Sequence, residues 1–365
     1  MSAYTEKRIL IITTGGTISG NVAESIVSSK VHTDISSFEA IIANAIAVIE
    51  DVWNIEVKPD VKDLLNIDSS DFLPEHWTLL AKTIQEAYDD YDAFIVLHGT
   101  NTMGYTAAAL SFAFENINKP IILTGAQVPL GYLGSDAVTN LVNSLRLAIW
   151  TYHQIKGVIA VFGSKIISGV RVKKGTDFDY DPFKSFITGS LGQIGRVIRI
   201  EEAALEKHVM YLSKSSALAH NSGNLVVKRD FDASHIASLT EFPGMEASIF
   251  EHLVETQGTK AFILRAFGAG DPNKALFPAF EFLKKKHIPI IVTTQAPNGV
   301  ASFQVNENGQ RLKKEDLAIP AFDMSIEAMT TKLAWLLAQK MSYEQIKMHM
   351  LQDLHGEINI ENDLI

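Results

Sequence analysis

The chain has no cysteine among its 365 residues. That removes disulfides, thiolate nucleophiles, cysteine-ligated zinc and iron–sulfur clusters together. No apolar run approaches the roughly 20 residues that a membrane span needs. The polar start, Met1 to Lys7, leads straight into a strand-like run and carries no signal-peptide pattern. A cytoplasmic protein with no membrane partner is therefore expected. Basic charge is also scarce: 32 Lys and Arg stand against 42 Asp and Glu, a formal net charge of -10. Phosphate backbones are bound by clustered cations, so nucleic acid is not an expected partner. The longest basic run, Lys284-Lys285-Lys286, closes a helical pattern, where it complements the helix dipole.

Several catalytic signatures are missing as well. There is no phosphate-binding Gly-x-x-x-x-Gly-Lys-[Ser/Thr], no Gly-x-Ser-x-Gly elbow and no His-Glu-x-x-His. Gly268-Ala269-Gly270 opens like a dinucleotide fingerprint, but Asn273 stands where the third glycine belongs. Asp177-x-Asp179-x-Asp181 opens like a calcium loop. Pro182 then takes the place of the required glycine and Thr188 that of the bidentate glutamate. It reads as a turn with solvated carboxylates, and no metal is expected.

What is present is an ordinary core-forming composition, 47% hydrophobic and 20% charged, in a length that suits two domains. Four compact apolar runs end in turn residues: Ile9–Ile12, Phe94–Leu97, Ile121–Leu123 and Val158–Phe162. Runs apolar at successive positions suit strands buried on both faces of a parallel sheet. A further strand is expected over Trp53–Val57. Helical patterns lie between these runs. They cover Ser36 to Ile49, opened by the capping pair Ser36 and Glu39, then Pro74–Tyr88, Tyr105–Glu115 and Asp136–Trp150. A second alternation follows, with strands at Ala261–Leu264 and Ile288–Val292 and helices at Pro278–Lys286, Ser325–Gln339 and Ser342–Leu351. The fold class is α/β in two domains. A larger N-terminal one, residues 1–205, has a doubly wound, mostly parallel sheet, and a smaller C-terminal α/β domain spans 236–365. Residues 206–235 read as the linker.

In open α/β sheets the site lies beyond the carboxyl ends of the strands. Here those ends deliver Thr13-Thr14-Gly15-Gly16-Thr17, then Asp68-Ser69-Ser70-Asp71, then His98-Gly99-Thr100-Asn101-Thr102. The harvest is hydroxyls, carboxylates and glycines. Glycine lets a backbone approach a ligand closely and exposes amide groups. A threonine there can act as a hydroxyl nucleophile, with backbone amides holding an oxyanion.

These motifs resemble the bacterial-type L-asparaginases, and most nearly the cytoplasmic, type I branch. The resemblance is carried by Thr14-Gly15-Gly16-Thr17-Ile18, Asp68 to Asp71 and His98 to Met103. Leu123-Thr124-Gly125-Ala126-Gln127 to Leu130 with Ser135-Asp136, Leu264 to Gly270 and Thr330 to Leu333 extend it over nearly the whole chain. It implies hydrolysis of the side-chain amide of L-asparagine to aspartate and ammonia, through an acyl-enzyme ester on Thr14. Thr100 and Lys174 then match a second catalytic set, and Ser69 and Ser70 the serines that hold the substrate carboxylate. It also implies a small amino-acid amide as substrate, no cofactor, and a homodimer or homotetramer. Without the resemblance, Lys174 would read as an exposed ion pair with Asp177 or Asp179.

Two positions depart from the family. Asn101 stands where it carries an aspartate that receives the substrate ammonium and completes the set with Thr100 and Lys174. In the loop Gly20–Thr33, Val27 occupies the spacing of a tyrosine, and residues 18–36 hold no tyrosine. That loop could still close as a lid. Two alternatives therefore stand beside the main expectation: a related hydrolase for an amide lacking a free α-ammonium, and an impaired protein that binds asparagine or aspartate. The tRNA-dependent amidotransferases include a component that resembles the same family but carries an extra N-terminal domain, for which the first strand near Arg8 leaves no room.

Overall fold

The computed structural model describes residues 5–15, 35–150, 155–218 and 225–360. Gly16 to Ile18 and the loop Gly20–Thr33 lie outside them, as do the side chains of the Ser36 cap. The chain divides into two compact units, Met1–Arg229 and Asp230–Ile365.

The first unit opens with β1 (Thr5–Thr13), α1 (Ile35–Trp53), β2 (Ile55–Asp63), α2 (Pro74–Ala87), β3 (Ala93–Leu97) and α3 (Met103–Ala113). A short β4 (Phe114–Glu115) precedes β5 (Pro120–Thr124), α4 (Ala137–Ile149) and β6 (Gly157–Phe162). Then come β7 (Lys165–Ser168), β8 (Val172–Lys174), β9 (Phe183–Ser185), β10 (Gly192–Ile194), β11 (Ile198–Ile200), α5 (Glu202–Leu218) and β12 (Val226–Val227). Eight strands form one sheet in the order β11-β10-β7-β6-β5-β3-β1-β2. The five from β2 to β6 run parallel. The three beyond β6 are antiparallel additions. Every residue of β3 and β6 is buried, which is why these stretches read as unbroken apolar runs. Two side elements were not expected: β8 pairs with β9 as a separate hairpin, and β12 pairs with β4. The stretch expected as a linker thus carries most of helix α5 and a strand.

The second unit has β13 (Ile236–Thr240), α6 (Ser248–Gln257), β14 (Ala261–Ala266), α7 (Phe277–Lys285), β15 (Ile290–Thr294) and α8 (Glu307–Lys314). It closes with β16 (Ile319–Pro320), α9 (Ile326–Ala338) and α10 (Tyr343–Met350). Its four strands are parallel and lie in sequence order. Phe250, Phe262, Phe277 and Phe280 fill its core. Ser325 caps α9 by accepting from the Ala328 N–H, and Ser342 with Gln345 forms a capping box on α10. Among the described residues, no helix is long and apolar enough to cross a membrane.

Candidate active site

The strand order makes the site. From β1 the chain crosses to β2 on one side and then returns to β3 on the other. The connection out of β1 goes to β2 and the one out of β3 goes the opposite way, to β5, so a crevice opens beyond the carboxyl ends of β1 and β3. Thr14 leaves one of those ends and His98 to Asn101 the other.

Thr14 is buried, and both its N–H and its hydroxyl donate to the carbonyl of Leu97, the last residue of β3, at 3.1 and 2.9 Å. Gly15 follows at φ +96°, where a Cβ would lie 2.3 Å from the Ile67 nitrogen. Only glycine lets the chain turn here against the backbone of 66–67. That contact brings in the next segment, a single 3-10 turn over Ser69–Asp71. Asp68 caps it, accepting from the Ser70 N–H at 2.7 Å. That bond, with a second from the Ser70 hydroxyl, holds the Asp68 carboxyl below its ordinary range.

Ser69 is buried and packs under Gly99, whose missing Cβ would sit 2.7 Å from the Ser69 Cβ. Thr102 fastens the same turn by donating to the Ser69 carbonyl at 2.7 Å. Ser70 is exposed and receives the Asn101 Nδ2 at 3.2 Å.

Lys174 ends β8. Its Nζ lies 2.9 Å from Thr100 Oγ1 and 2.9 Å from Asn101 Oδ1. Successive strand residues point to opposite faces, which separates Lys174 from Lys173. Burial pushes the Lys174 amine down, opposed in part by the charge of Asp177. The hydrogen bonds of Lys174 thus go to the threonine and the asparagine, in place of the exposed ion pair with Asp177 or Asp179.

Beneath this cluster lies His98, fully enclosed. Its Nδ1 is 2.7 Å from the Gly99 carbonyl and its Nε2 is 2.9 Å from Thr106 Oγ1. A carbonyl only accepts, so Nδ1 carries the proton and Nε2 accepts from the Thr106 hydroxyl. Thr106 in turn receives the Trp77 Nε1–H at 3.1 Å. Burial lowers the His98 pKa to about 4, so the ring is neutral at physiological pH. Asp136 braces the neighbouring turn, accepting from the Gln127 and Val128 N–H groups and from Asn140.

Geometry therefore joins Ser70, Thr100, Asn101 and Lys174 directly. Thr14 is tied to the end of the same strand β3, and Ser69 sits below as packing. Sequence reasoning passed over Thr106 and Trp77. A hydroxyl in an alanine-rich helix, four residues from Thr102, was the signal for the first. Among the described residues no cluster of His, Asp and Glu could hold a metal. An apolar groove of about 750 Å³ runs along α1 and α4 past Val48, Val52, Trp53 and Trp150, and it offers no hydroxyl or carboxylate.

One unit on a large, mostly parallel sheet with threonine turns at its switch point, and a second on a smaller parallel sheet, define an amidohydrolase of asparaginase type. Residues 8–206 match the family described as Asparaginase, N-terminal, and residues 235–350 match the Glutaminase/Asparaginase C-terminal domain. The chain belongs to the asparaginase family. It is 35% identical to L-asparaginase 1 of Escherichia coli (strain K12) over 294 residues, covering 80% of this chain and 82% of that protein. It is 29% identical to the L-asparaginase of Thermococcus kodakarensis, over 96% of this chain and 99% of that one. A glutamyl-tRNA(Gln) amidotransferase component of the same organism is 30% identical, over 96% of this chain and 76% of its own length. The crystal structure of L-asparaginase I from Vibrio cholerae superposes with a TM-score of 0.79 at 30% identity, over 98% of this chain and all of that one.

Proposed function

We propose that the chain is an asparagine amidohydrolase that releases ammonia from the side-chain carboxamide of L-asparagine, with Thr14 as nucleophile. The observation that carries this reading is the contact of Lys174 Nζ with Thr100 Oγ1 at 2.9 Å, beside the Thr14 turn. The relatives named L-asparaginase support it.

In the first half-reaction Thr14 Oγ1 attacks the carboxamide carbon. Its proton passes to the leaving nitrogen, ammonia departs, and an acyl ester forms on Thr14. In the second half-reaction water adds to that ester, and the acid leaves with the Thr14 hydroxyl restored. Thr100 and Lys174 act on the proton. A neutral Lys174 amine donates to Asn101 Oδ1 and accepts from the Thr100 hydroxyl, which turns Thr100 into a relay toward water. Partial burial favours that neutral form, and a neutral Asn101 does not oppose it as a carboxylate would. Ser70 is the exposed hydroxyl placed to hold a substrate carboxylate. A homodimer or homotetramer in the cytoplasm is part of the same reading and rests on the resemblance.

The test is ammonia release by the purified protein. Thr14→Ala lowers kcat by about a thousandfold or more. Lys174→Met lowers it by about 10²–10⁴-fold, the usual contribution of a positioned general base. Activity of the parent protein rises toward alkaline pH, through a Lys174 pKa below the ordinary lysine value. Full activity in Thr14→Ala sinks the nucleophile assignment.

A further inference from the structure

One peptide unit of the site is held by a single side chain. Among the described residues, the Gly99 carbonyl accepts only from the His98 ring, at 2.7 Å, and the Thr100 N–H donates to no protein group. Gly99 has no Cβ, so its backbone resists rotation less than that of any other residue. The peptide is planar and trans, which puts the Thr100 N–H on the side away from the ring. The tilt of that plane carries Thr100 with it, and the Thr100 hydroxyl has to meet Lys174 Nζ at 2.9 Å.

The ring that sets this tilt must be held in its turn. Rotation about the bond between Cβ and an imidazole is broad and nearly two-fold. A half-turn of the His98 ring would put Cδ2 where Nδ1 now meets the Gly99 carbonyl. Phe72 packs against the ring, with centroids 4.5 Å apart, but has no polar atom to tell one orientation from the other. The Thr106 hydroxyl does. It lies 2.9 Å from Nε2, and the half-turn would bring Cε1 there instead. Thr106 is fully buried and receives the Trp77 Nε1–H at 3.1 Å, so its own proton goes to the ring. A turned ring therefore loses two hydrogen bonds while that hydroxyl is present, and one when it is not.

We propose that Thr106 is a positioning residue for the hydrolytic reaction. Acting through the His98 ring and the Gly99–Thr100 peptide, it keeps the Thr100 hydroxyl on Lys174. The inference rests on the amidohydrolase reading and adds to it a residue too deeply enclosed to touch a substrate.

The experiment compares ammonia release from L-asparagine by the whole chain and by its Thr106→Val and Thr106→Ser variants, at a temperature where all three are fully folded. Valine keeps the shape and loses the hydroxyl, and serine keeps the hydroxyl. In Thr106→Val, kcat falls by about tenfold to a hundredfold, the scale of a misplacement of about 1 Å near the chemistry. KM changes by less than about threefold, because Ser70, the hydroxyl placed for the substrate carboxylate, lies on a different turn. Thr106→Ser brings kcat back to within about threefold of the parent. A purely structural role would lower the denaturation midpoint and leave kcat per folded molecule where it was. Parent-like kcat in Thr106→Val overturns the inference and leaves the amidohydrolase reading standing. So does a Thr106→Ser enzyme as slow as Thr106→Val, since the methyl group and not the hydroxyl would then matter. If Thr106→Val fails to fold, the ring-nitrogen resonances of the parent protein decide. A proton on His98 Nδ1 is expected, and a proton on Nε2 would leave the Gly99 carbonyl unheld and overturn the inference. No ammonia from the parent protein removes the reading beneath and the inference with it.

Discussion

Gly99 shows how little freedom the site allows a single residue. It lies between His98, whose ring grips its carbonyl, and Thr100, which meets Lys174. A methyl group there would lie 2.6 Å from Ser69 Oγ and 2.7 Å from Ser69 Cβ. Ser69 cannot yield alone, because Thr102 holds its carbonyl and Asp68 caps the turn that contains it. Gly99→Ala should therefore cost about 1–3 kcal/mol of stability, the usual penalty of overpacking. The denaturation midpoint should fall with an unchanged slope, and kcat/KM should fall further than stability alone explains, because the displaced turn carries Ser70. An unchanged midpoint would mean that the 3-10 turn is free to move. At this scale much of the site is legible from sequence, since threonine, serine and glycine at strand ends announce themselves by type. Lys174 does not. It lies 74 residues from Thr100, in a three-residue strand with another lysine beside it, and no periodicity links the two.

Among the elements, α3 positions the site from below. The Thr106 hydroxyl on this helix joins Trp77 on α2 to the ring of His98. Thr106→Val keeps the shape and removes that hydroxyl. It leaves the His98 Nε2 acceptor buried without the hydroxyl it now accepts from, at about 1–3 kcal/mol for such a group. We expect a loss of about 2 kcal/mol or more in chemical denaturation. A loss under about 0.5 kcal/mol would show that the ring turns over to find other partners. His98 also gives stability a pH dependence. Its folded pKa, about 4, lies below the ordinary 6.5, so between those values the unfolded chain binds the extra proton. Stability should decline as pH falls from about 6.5 and level off below about 4, and His98→Gln should flatten that slope in a thermal-melt series. Elements also mark where sequence reading stops. The buried strands and the capped helices of the second unit were plain from their apolar runs and caps. The second strand was expected at Trp53–Val57, but α1 runs through Trp53. Asn54 then turns at φ 54° and β2 extends to Asp63. Pro59 and the charges around it disguise that strand, and its place at the sheet edge is what tolerates them. Phe114 and Glu115 read as the end of a helix, yet they pair with Val226 and Val227, a partner too distant in the chain for any local pattern to reveal.

On the scale of the whole molecule, the second unit is closed by an ion pair taken fully out of water. Lys332 on α9 donates to Glu357 Oε1 and to the Gln352 carbonyl, each at 2.6 Å, and both side chains are inaccessible. Glu357 also accepts from the Leu354 and His355 N–H groups, so the chain after α10 is fastened back onto α9. A charge left alone in such a place is costly, although a matched pair need not be stabilising against an apolar replacement. Glu357→Gln should destabilise the protein by about 3–5 kcal/mol, because it strands the Lys332 ammonium. Lys332→Met combined with Glu357→Leu should recover most of that loss. If the double variant is as unstable as the single one, the cost lies in the backbone hydrogen bonds of Leu354 and His355 rather than in the stranded charge. The pH sign follows from the carboxylate. Burial is the largest single influence and would push the Glu357 carboxyl up, but the charge and hydrogen bond of Lys332 together with the charge and N–H of His355 outweigh it and hold the group below the ordinary glutamate range. The contribution is then complete above about pH 4.3 and is lost as pH falls below it. The His98 loss begins near pH 6.5, in the first unit. An acid titration followed by hydrogen exchange should therefore open the amides around His98 first and those of residues 354–357 only at lower pH. Loss of both sets in one step near pH 6 would overturn that order.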